Sequence, residues 1–76
     1  MKTRMRTYER TWADIEEMLD EAVQTRREWE IHFDRCRKRG QREGQKEAAR
    51  NAKALEGVIK TLRWVLGEEG VEHPLD

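Results

Sequence analysis

The chain has 76 residues, of which 42% are charged and 36% hydrophobic, and its sixteen basic and sixteen acidic residues cancel. Its mean hydropathy of −1.12 places it at the polar edge of sequences that fold alone, because a domain of this size buries only about 60% of its unfolded surface. Charge balance excludes a net field that would draw the chain to nucleic acid or a membrane, and no apolar run approaches the roughly 18 residues of a transmembrane helix. We expect one domain over residues 1–76.

The basic start of the chain, Met1–Arg6, is not followed by an apolar stretch, so the sequence predicts no secretory signal. Residues 1–10 carry no core pattern beyond Tyr8, and we expect them to fray. The single cysteine, Cys36, has no second cysteine with which to form an internal disulfide. This favours a reducing, cytoplasmic location.

A first helix is predicted at about 12–39 from apolar positions that recur every four and three residues, which is the period of a helix and not of a strand. Thr11 is typical of an N-cap, with Asp14 three residues further on, and Gly40 suits the left-handed position that follows a helix. The stripe comprises Tyr8, Trp12, Ile15, Leu19, Ala22, Arg26, Trp29, Phe33 and Cys36.

A second helix is predicted at about 45–66, with Gly44 as its N-cap and Gly67 at its end. The two stripes differ in phase, and Gly40 and Gly44 would each cost about 1 kcal/mol inside a helix. An antiparallel hairpin is therefore favoured over one straight helix in an extended dimer, which stays an alternative. The second stripe comprises Ala48, Ala52, Leu55, Ile59, Leu62 and Leu66.

Folding the hairpin brings large residues of one stripe opposite small or medium residues of the other. The tail, residues 67–76, is expected to fold back over the first helix, with Val71 and Leu75 near Ile15 and Trp12. The expected pairs are Cys36–Ala48, Phe33–Ala52, Trp29–Leu55, Ala22–Leu62 and Leu19–Leu66.

Two helices leave the flanks of both stripes exposed. About fifteen stripe residues, at roughly 1.5–3 kcal/mol each, must oppose about 1.5 kcal/mol of conformational entropy per ordered residue. Association of two chains supplies the missing burial. The sequence therefore predicts an all-α fold, an antiparallel two-helix hairpin that completes its core as a homodimeric four-helix bundle.

The sequence favours neither a metal site nor an enzyme. An acidic cluster on the first helix resembles half of a helical carboxylate set, but the second helix offers only Glu47 and Glu56, well apart. Cys36 lies on the stripe as a core thiol, although a partly exposed thiol that cross-links a dimer is the alternative, and we expect no histidine at a spacing that activates it. We predict no enzyme, cofactor or metal. The cluster is Glu16, Glu17, Asp20 and Glu21.

Five cations in eight residues, without an acid among them, form a basic tip between the helices. Phosphate contact is one interpretation, but no aromatic side chain is interleaved for base stacking. The opposite end is acidic, since residues 11–24 carry −5 and residues 67–76 carry −4. Two hairpins docked antiparallel would therefore set each basic tip against an acidic end. Contact with an acidic protein partner is a further interpretation. The basic tip is Arg35, Arg37, Lys38, Arg39 and Arg42.

The second helix carries a seam of small and apolar residues beside its core stripe, and we predict that this seam is the dimer interface. Gly57 and Trp64 border it. Gly57 would suit the close approach of another backbone, and Trp64 would either clamp the neighbouring protomer or contact an outside partner. The alternative is a monomer in which Gly57 is merely tolerated and Trp64 shields the seam. The Met18–Trp29–Cys36 flank of the first helix is the alternative interface. The seam is Ala54, Val58, Thr61 and Val65, and with Gly57 and Trp64 it forms the predicted dimer or partner surface.

These features predict a non-enzymatic protein-interaction module: a dimeric adaptor, regulator or inhibitor that docks on another protein. Compact chains of this kind are common among phage and mobile-element products. One alternative is a small nucleic-acid-binding dimer that uses the basic tip. Another is a structural subunit of a larger helical assembly.

Overall fold

A computed structural model of the chain describes residues 5–76. Within that range the chain forms two helices and no strand: α1 (Trp12–Lys38) and α2 (Arg42–Val65), packed against each other. This confirms the all-α hairpin. Residues 5–11 form neither helix nor strand, Tyr8 is 84% exposed, and the expectation for residues 1–4 lies outside the described residues.

The start of α1 is fixed by the capping box that the sequence predicts. The Thr11 backbone N–H donates to Oδ2 of Asp14 at 2.9 Å, and the Asp14 backbone N–H donates to Oγ1 of Thr11 at 3.1 Å. The bond from the Thr11 backbone holds the pKa of the Asp14 carboxyl below its ordinary value. Two of the N–H groups that a helix start leaves unpaired are therefore satisfied reciprocally.

Both helices end in the same hydrogen-bond pattern, with a glycine just beyond the cap. Gly40 has φ +68° and Gly67 has φ +73°, a left-handed conformation that costs little without a Cβ. After α1, the Gln41 N–H donates to the Cys36 carbonyl at 2.9 Å and the Gly40 N–H to the Arg37 carbonyl at 3.2 Å. The corresponding pair of bonds closes α2, so both glycine stops are confirmed.

The prediction that Gly44 is an N-cap is wrong, because α2 begins at Arg42 and its N-cap is Gln41, whose side chain makes no capping bond. Gly44 lies instead in the first turn, against α1. A Cβ at this position would lie 2.5 Å from the Cys36 Sγ. The glycine therefore permits close approach of the two helices rather than ending one of them.

Few residues are buried in this hairpin. Ala22, Cys36, Ala48 and Ile59 are between 0% and 4% exposed. Most other stripe residues are half-buried. Trp12, which the stripe places on the core face of α1, is 66% exposed, so its assignment to the core is wrong for the hairpin. The half-buried stripe residues are Ile15, Leu19, Arg26, Trp29, Phe33, Ala52, Leu55, Leu62 and Leu66.

The tail packs mainly on α2. The His73 ring stands edge-on to the Trp64 ring, with centroids 5.2 Å apart, while Val71 lines a hollow beside Ile59. Leu75, which the sequence places near α1, is 88% exposed. Neither of the two helices is long and apolar enough to cross a membrane.

Candidate interaction surfaces

The seam on α2 is open to solvent in the single hairpin. Val58 is 37% exposed and Val65 is 38% exposed, and Ala54 and Thr61 are exposed as well. The Thr61 hydroxyl donates to the Gly57 carbonyl at 2.9 Å, so the polar group of the seam is satisfied within its own helix. The seam therefore leaves no hydroxyl that needs a partner from outside.

The apolar surface continues from α2 onto α1. Ile15 and Met18 of α1 line one hollow of about 550 Å³ together with Leu62 of α2, and Met18 is 50% exposed. Leu62 also lines a hollow with Val58. The alternative flank through Met18 and the seam thus meet at Leu62 and form one face of the hairpin.

Carboxylates surround the hollow at the open end of the hairpin. Asp14, Glu17 and Glu21 line it, together with one cation, Arg10. The sequence assigns two of these acids to a cluster on one helix. Their place at the rim of an apolar hollow between two helices depends on the packing, which sequence spacing alone does not reveal.

The outer edge of the seam is bordered by the tail. Pro74 lines a hollow with Ala54, Gly57 and Thr61, and Trp64 is still 46% exposed beside His73. A Cβ built at Gly57 would meet nothing within 4 Å. No contact within residues 5–76 therefore accounts for a glycine in the middle of α2.

The basic tip is partly neutralised by an acid that lies just before it. Asp34 accepts from Arg37 at 2.6 Å and from Lys38 at 3.0 Å, and the hydrogen bond from Lys38 is the main reason that the pKa of Asp34 is lowered. Arg35, Arg39 and Arg42 make no ion pair with any residue in the described range 5–76. The tip thus combines two paired cations with those three arginines.

A thiol and an imidazole meet at the tip. The Cys36 Sγ lies 3.6 Å from the His32 Nε2, so the expectation that no histidine stands at a usable spacing is wrong: residues four apart on a helix are neighbours. The His32 ring also stands edge-on to Trp29 at 5.8 Å. Cys36 is 3% exposed and lies against Gly44, so the thiol fills the tip rather than facing solvent, where a reactive thiol would lie.

Among residues 5–76, no three histidine, cysteine or acidic side chains are placed to hold one metal ion. Comparison of the chain with models of known protein families, with curated proteins and with solved structures gave no match. Any proposal about function therefore rests on the surfaces described above.

Proposed function

We propose that the chain is a non-enzymatic protein-interaction module, a homodimer that docks on another protein as an adaptor, regulator or inhibitor. The main support is how little of its apolar surface a single hairpin buries. Of the four buried residues, three are alanine or cysteine, and Ile59 is the only large aliphatic side chain among them. A core of that size supplies little of the burial that a domain of 76 residues needs.

The surface area leads to the same conclusion. The chain exposes 6936 Å², whereas a compact monomer of 9.1 kDa exposes about 4,900 Å². Part of the excess lies in residues 5–11, which form neither helix nor strand, and part on the flanks of both helices, at Met18, Val58 and Val65. The excess is larger than the roughly 800 Å² that each partner buries in a standard interface.

We assign two roles to the proposed surface. The centre of the seam binds a second copy of the chain. Trp64, at the edge of the seam, anchors the outside partner, because tryptophan is enriched among the residues that dominate binding energy. The six residues of the proposed surface are Ala54, Gly57, Val58, Thr61, Trp64 and Val65.

Val58→Glu tests the dimer. At 37% exposure in one chain, a charge at this position is tolerated in a monomer, but the dimer would bury it unpaired. Light scattering is expected to give about 18 kDa for the wild type, twice the chain mass of 9.1 kDa, and a monomer for Val58→Glu. Glu56→Gln, which alters an exposed residue paired with Lys53, is the control and should stay dimeric. A monomeric wild type would refute the dimer, and a dimeric Val58→Glu would place the interface elsewhere.

The outside partner is tested with tagged wild-type protein in extracts of the native host. A captured protein supports the proposal once it is identified, purified and shown to bind directly, with binding lost in Trp64→Ala. Lys53→Ala, at an exposed site on the same helix, is the matched control. Recovery of the chain alone would favour the structural-subunit alternative.

A nucleic-acid-binding dimer is the second candidate, because Arg35, Arg39 and Arg42 make no ion pair within residues 5–76. Anisotropy of short duplex and single-stranded probes between about 50 and 200 mM salt measures phosphate binding directly. Charge reversal at Arg39 and Arg42 should then abolish binding, whereas reversal at Arg37, which is already paired with Asp34, should matter less. No binding at the lower salt concentration would eliminate this candidate.

A further inference from the structure

The flank of α1 beside its core stripe carries charges in a polarised order. Residues seven apart lie nearly in line on a helix, within about 20°, and two such lines run along this flank. Asp14, Met18 and Glu21 share one hollow with Leu62, so the flank belongs to the same face as the seam. The lines are Asp14–Glu21–Glu28–Arg35 and Met18–Thr25–His32–Arg39.

A helix that is acidic at one end and basic at the other is complementary to its own reversed copy. Placing Asp14 opposite Arg39 of a second α1 sets Glu21 opposite His32 and puts the midpoint between Arg26 and Arg27. The acidic end of each chain then faces the basic tip of the other chain, so the same contact occurs twice in the dimer. Such an arrangement favours one orientation over others.

Because α1 packs against α2 in the hairpin, the midpoint of α1 lies level with a particular position on α2. Arg26 shares a hollow with Glu56 and Ile59, so the centre of α1 lies level with Val58. Val58 is also one of the two central residues of the seam. The charges of α1, in the register that sets Asp14 opposite Arg39, and the apolar residues of α2 are separate features of the sequence, and both agree with a centre near Val58.

We infer that the seam is covered by a second copy of the chain, docked antiparallel with its two-fold axis beside Val58. The inference rests on the proposed function, in that the chain self-associates. Val58 then faces its own copy, Ala54 faces Leu62, and Thr61 faces Leu55. In the opposite orientation the two basic tips lie side by side, and so do the two acidic ends, which like-charge repulsion disfavours.

Charge exchange between the ends tests this orientation. One variant carries Arg35→Glu and Arg39→Glu, and the other carries Glu17→Lys and Glu21→Lys, leaving the capping residue Asp14 intact. Each variant alone repels itself at both ends, and its dimer is expected to be at least about tenfold weaker than the wild type. An equimolar mixture pairs opposite charges at both ends, and native mass spectrometry should detect a dimer with one copy of each.

The control variant reverses the same amount of charge at Lys53 and Lys60 of α2, which lie outside the basic tip and the seam, and it should keep the wild-type dimer. Far-UV circular dichroism verifies that every variant is helical. Variants that each dimerise alone, or a mixture that stays monomeric, would overturn the antiparallel orientation. Val58→Glu reports on the seam independently, so the orientation can fail while the dimer itself stands, and a monomeric wild type would remove both.

Discussion

The two ends of the hairpin follow the same heptad pattern but pack differently. At the tip, Gly44 and Ala48 allow α2 to approach closely: a Cβ on Gly44 would lie 2.5 Å from the Cys36 Sγ, and Ala48 is 0% exposed. At the open end, Ile15 and Leu62 line a hollow of about 550 Å³. At Gly44 and Cys36 the tip is closely packed, although Phe33 and Ala48 line a hollow of about 370 Å³ beside them. The open end has large side chains that one partner helix leaves partly uncovered.

A heptad stripe therefore specifies which face of a helix is apolar, but it does not specify how completely that face is covered. Close packing requires small residues opposite large ones, since voids forfeit contacts. Beyond Ala22, the stripe residues of the open end are large (Ile15, Leu19, Leu62 and Leu66), and more protein is required to enclose them. The tip therefore stabilises the hairpin itself, and we propose that the open end contributes surface for association.

The largest effect is expected at Ile59, which lies between the two ends. Ile59 is 3% exposed, so Ile59→Ala should lower the free energy of unfolding by about 2–5 kcal/mol. Leu55→Ala removes a similar volume from a half-buried site and should cost less. Chemical denaturation at one protein concentration measures both, and equal costs would contradict the uneven burial.

The two mid-helix glycines test the contrast in packing directly. Gly44→Ala places a methyl group against Cys36 and should lower the free energy of unfolding by about 1–3 kcal/mol, as overpacked sites do. Gly57→Ala meets nothing within 4 Å in the single hairpin, so in the Val58→Glu monomer it should raise the free energy of unfolding by about 1 kcal/mol through helix propensity, or about 4–8 °C in melting temperature.

A double variant identifies the cause of the Gly44 effect. Cys36→Ala removes the Sγ that the new methyl group would meet, so Gly44→Ala should cost less in that background than in the wild type. Equal costs in the two backgrounds would show that the helices do not approach closely at the tip. In the wild-type dimer Gly57→Ala should be destabilising, because the proposed interface brings a second chain against α2 at Gly57, and a gain equal to that in the monomer would place the interface elsewhere.

Local signals explain why much of the fold could be predicted from the sequence. The two residues of the capping box, Thr11 and Asp14, are only three positions apart, and the glycines at 40 and 67 act through adjacent hydrogen bonds. The start of α2 could not be predicted, because Gln41 caps it without a side-chain bond. Trp12 continues the stripe by spacing, yet whether a stripe residue is covered depends on what lies opposite, and Trp12 is 66% exposed.

The candidate surface, like the fold, can be predicted from the sequence only where local spacing determines it. The seam follows from helical spacing, and so do two pairs that sequence reasoning missed: Asp34 with Lys38, and His32 with Cys36, each four residues apart. The join of the seam to α1 at Leu62 and the place of His73 beside Trp64 come from tertiary packing. No spacing along the chain encodes those contacts.

The smallest effect is expected at the N-terminus of α1, at the open end. Thr11→Ala should lower the free energy of unfolding by about 1 kcal/mol through loss of the cap. The hydrogen bond from the Thr11 backbone lowers the pKa of Asp14 below 3.8. A carboxyl whose pKa is lower in the folded chain than in the unfolded chain stabilises the fold above the unfolded pKa, and that stability is lost as the pH falls through the folded pKa.

Asp14→Asn isolates this pH dependence, because the amide resembles the protonated carboxyl in shape and does not titrate. The wild type should melt at a higher temperature than Asp14→Asn at pH 7, and the gap should close as the pH falls below about 4. Asp34, whose pKa is also lowered, is present in both proteins, so its contribution cancels in the difference. A gap that stays constant from pH 7 to pH 2 would show that the Asp14 carboxylate does not cap α1, and the stability of the open end would then depend on packing alone.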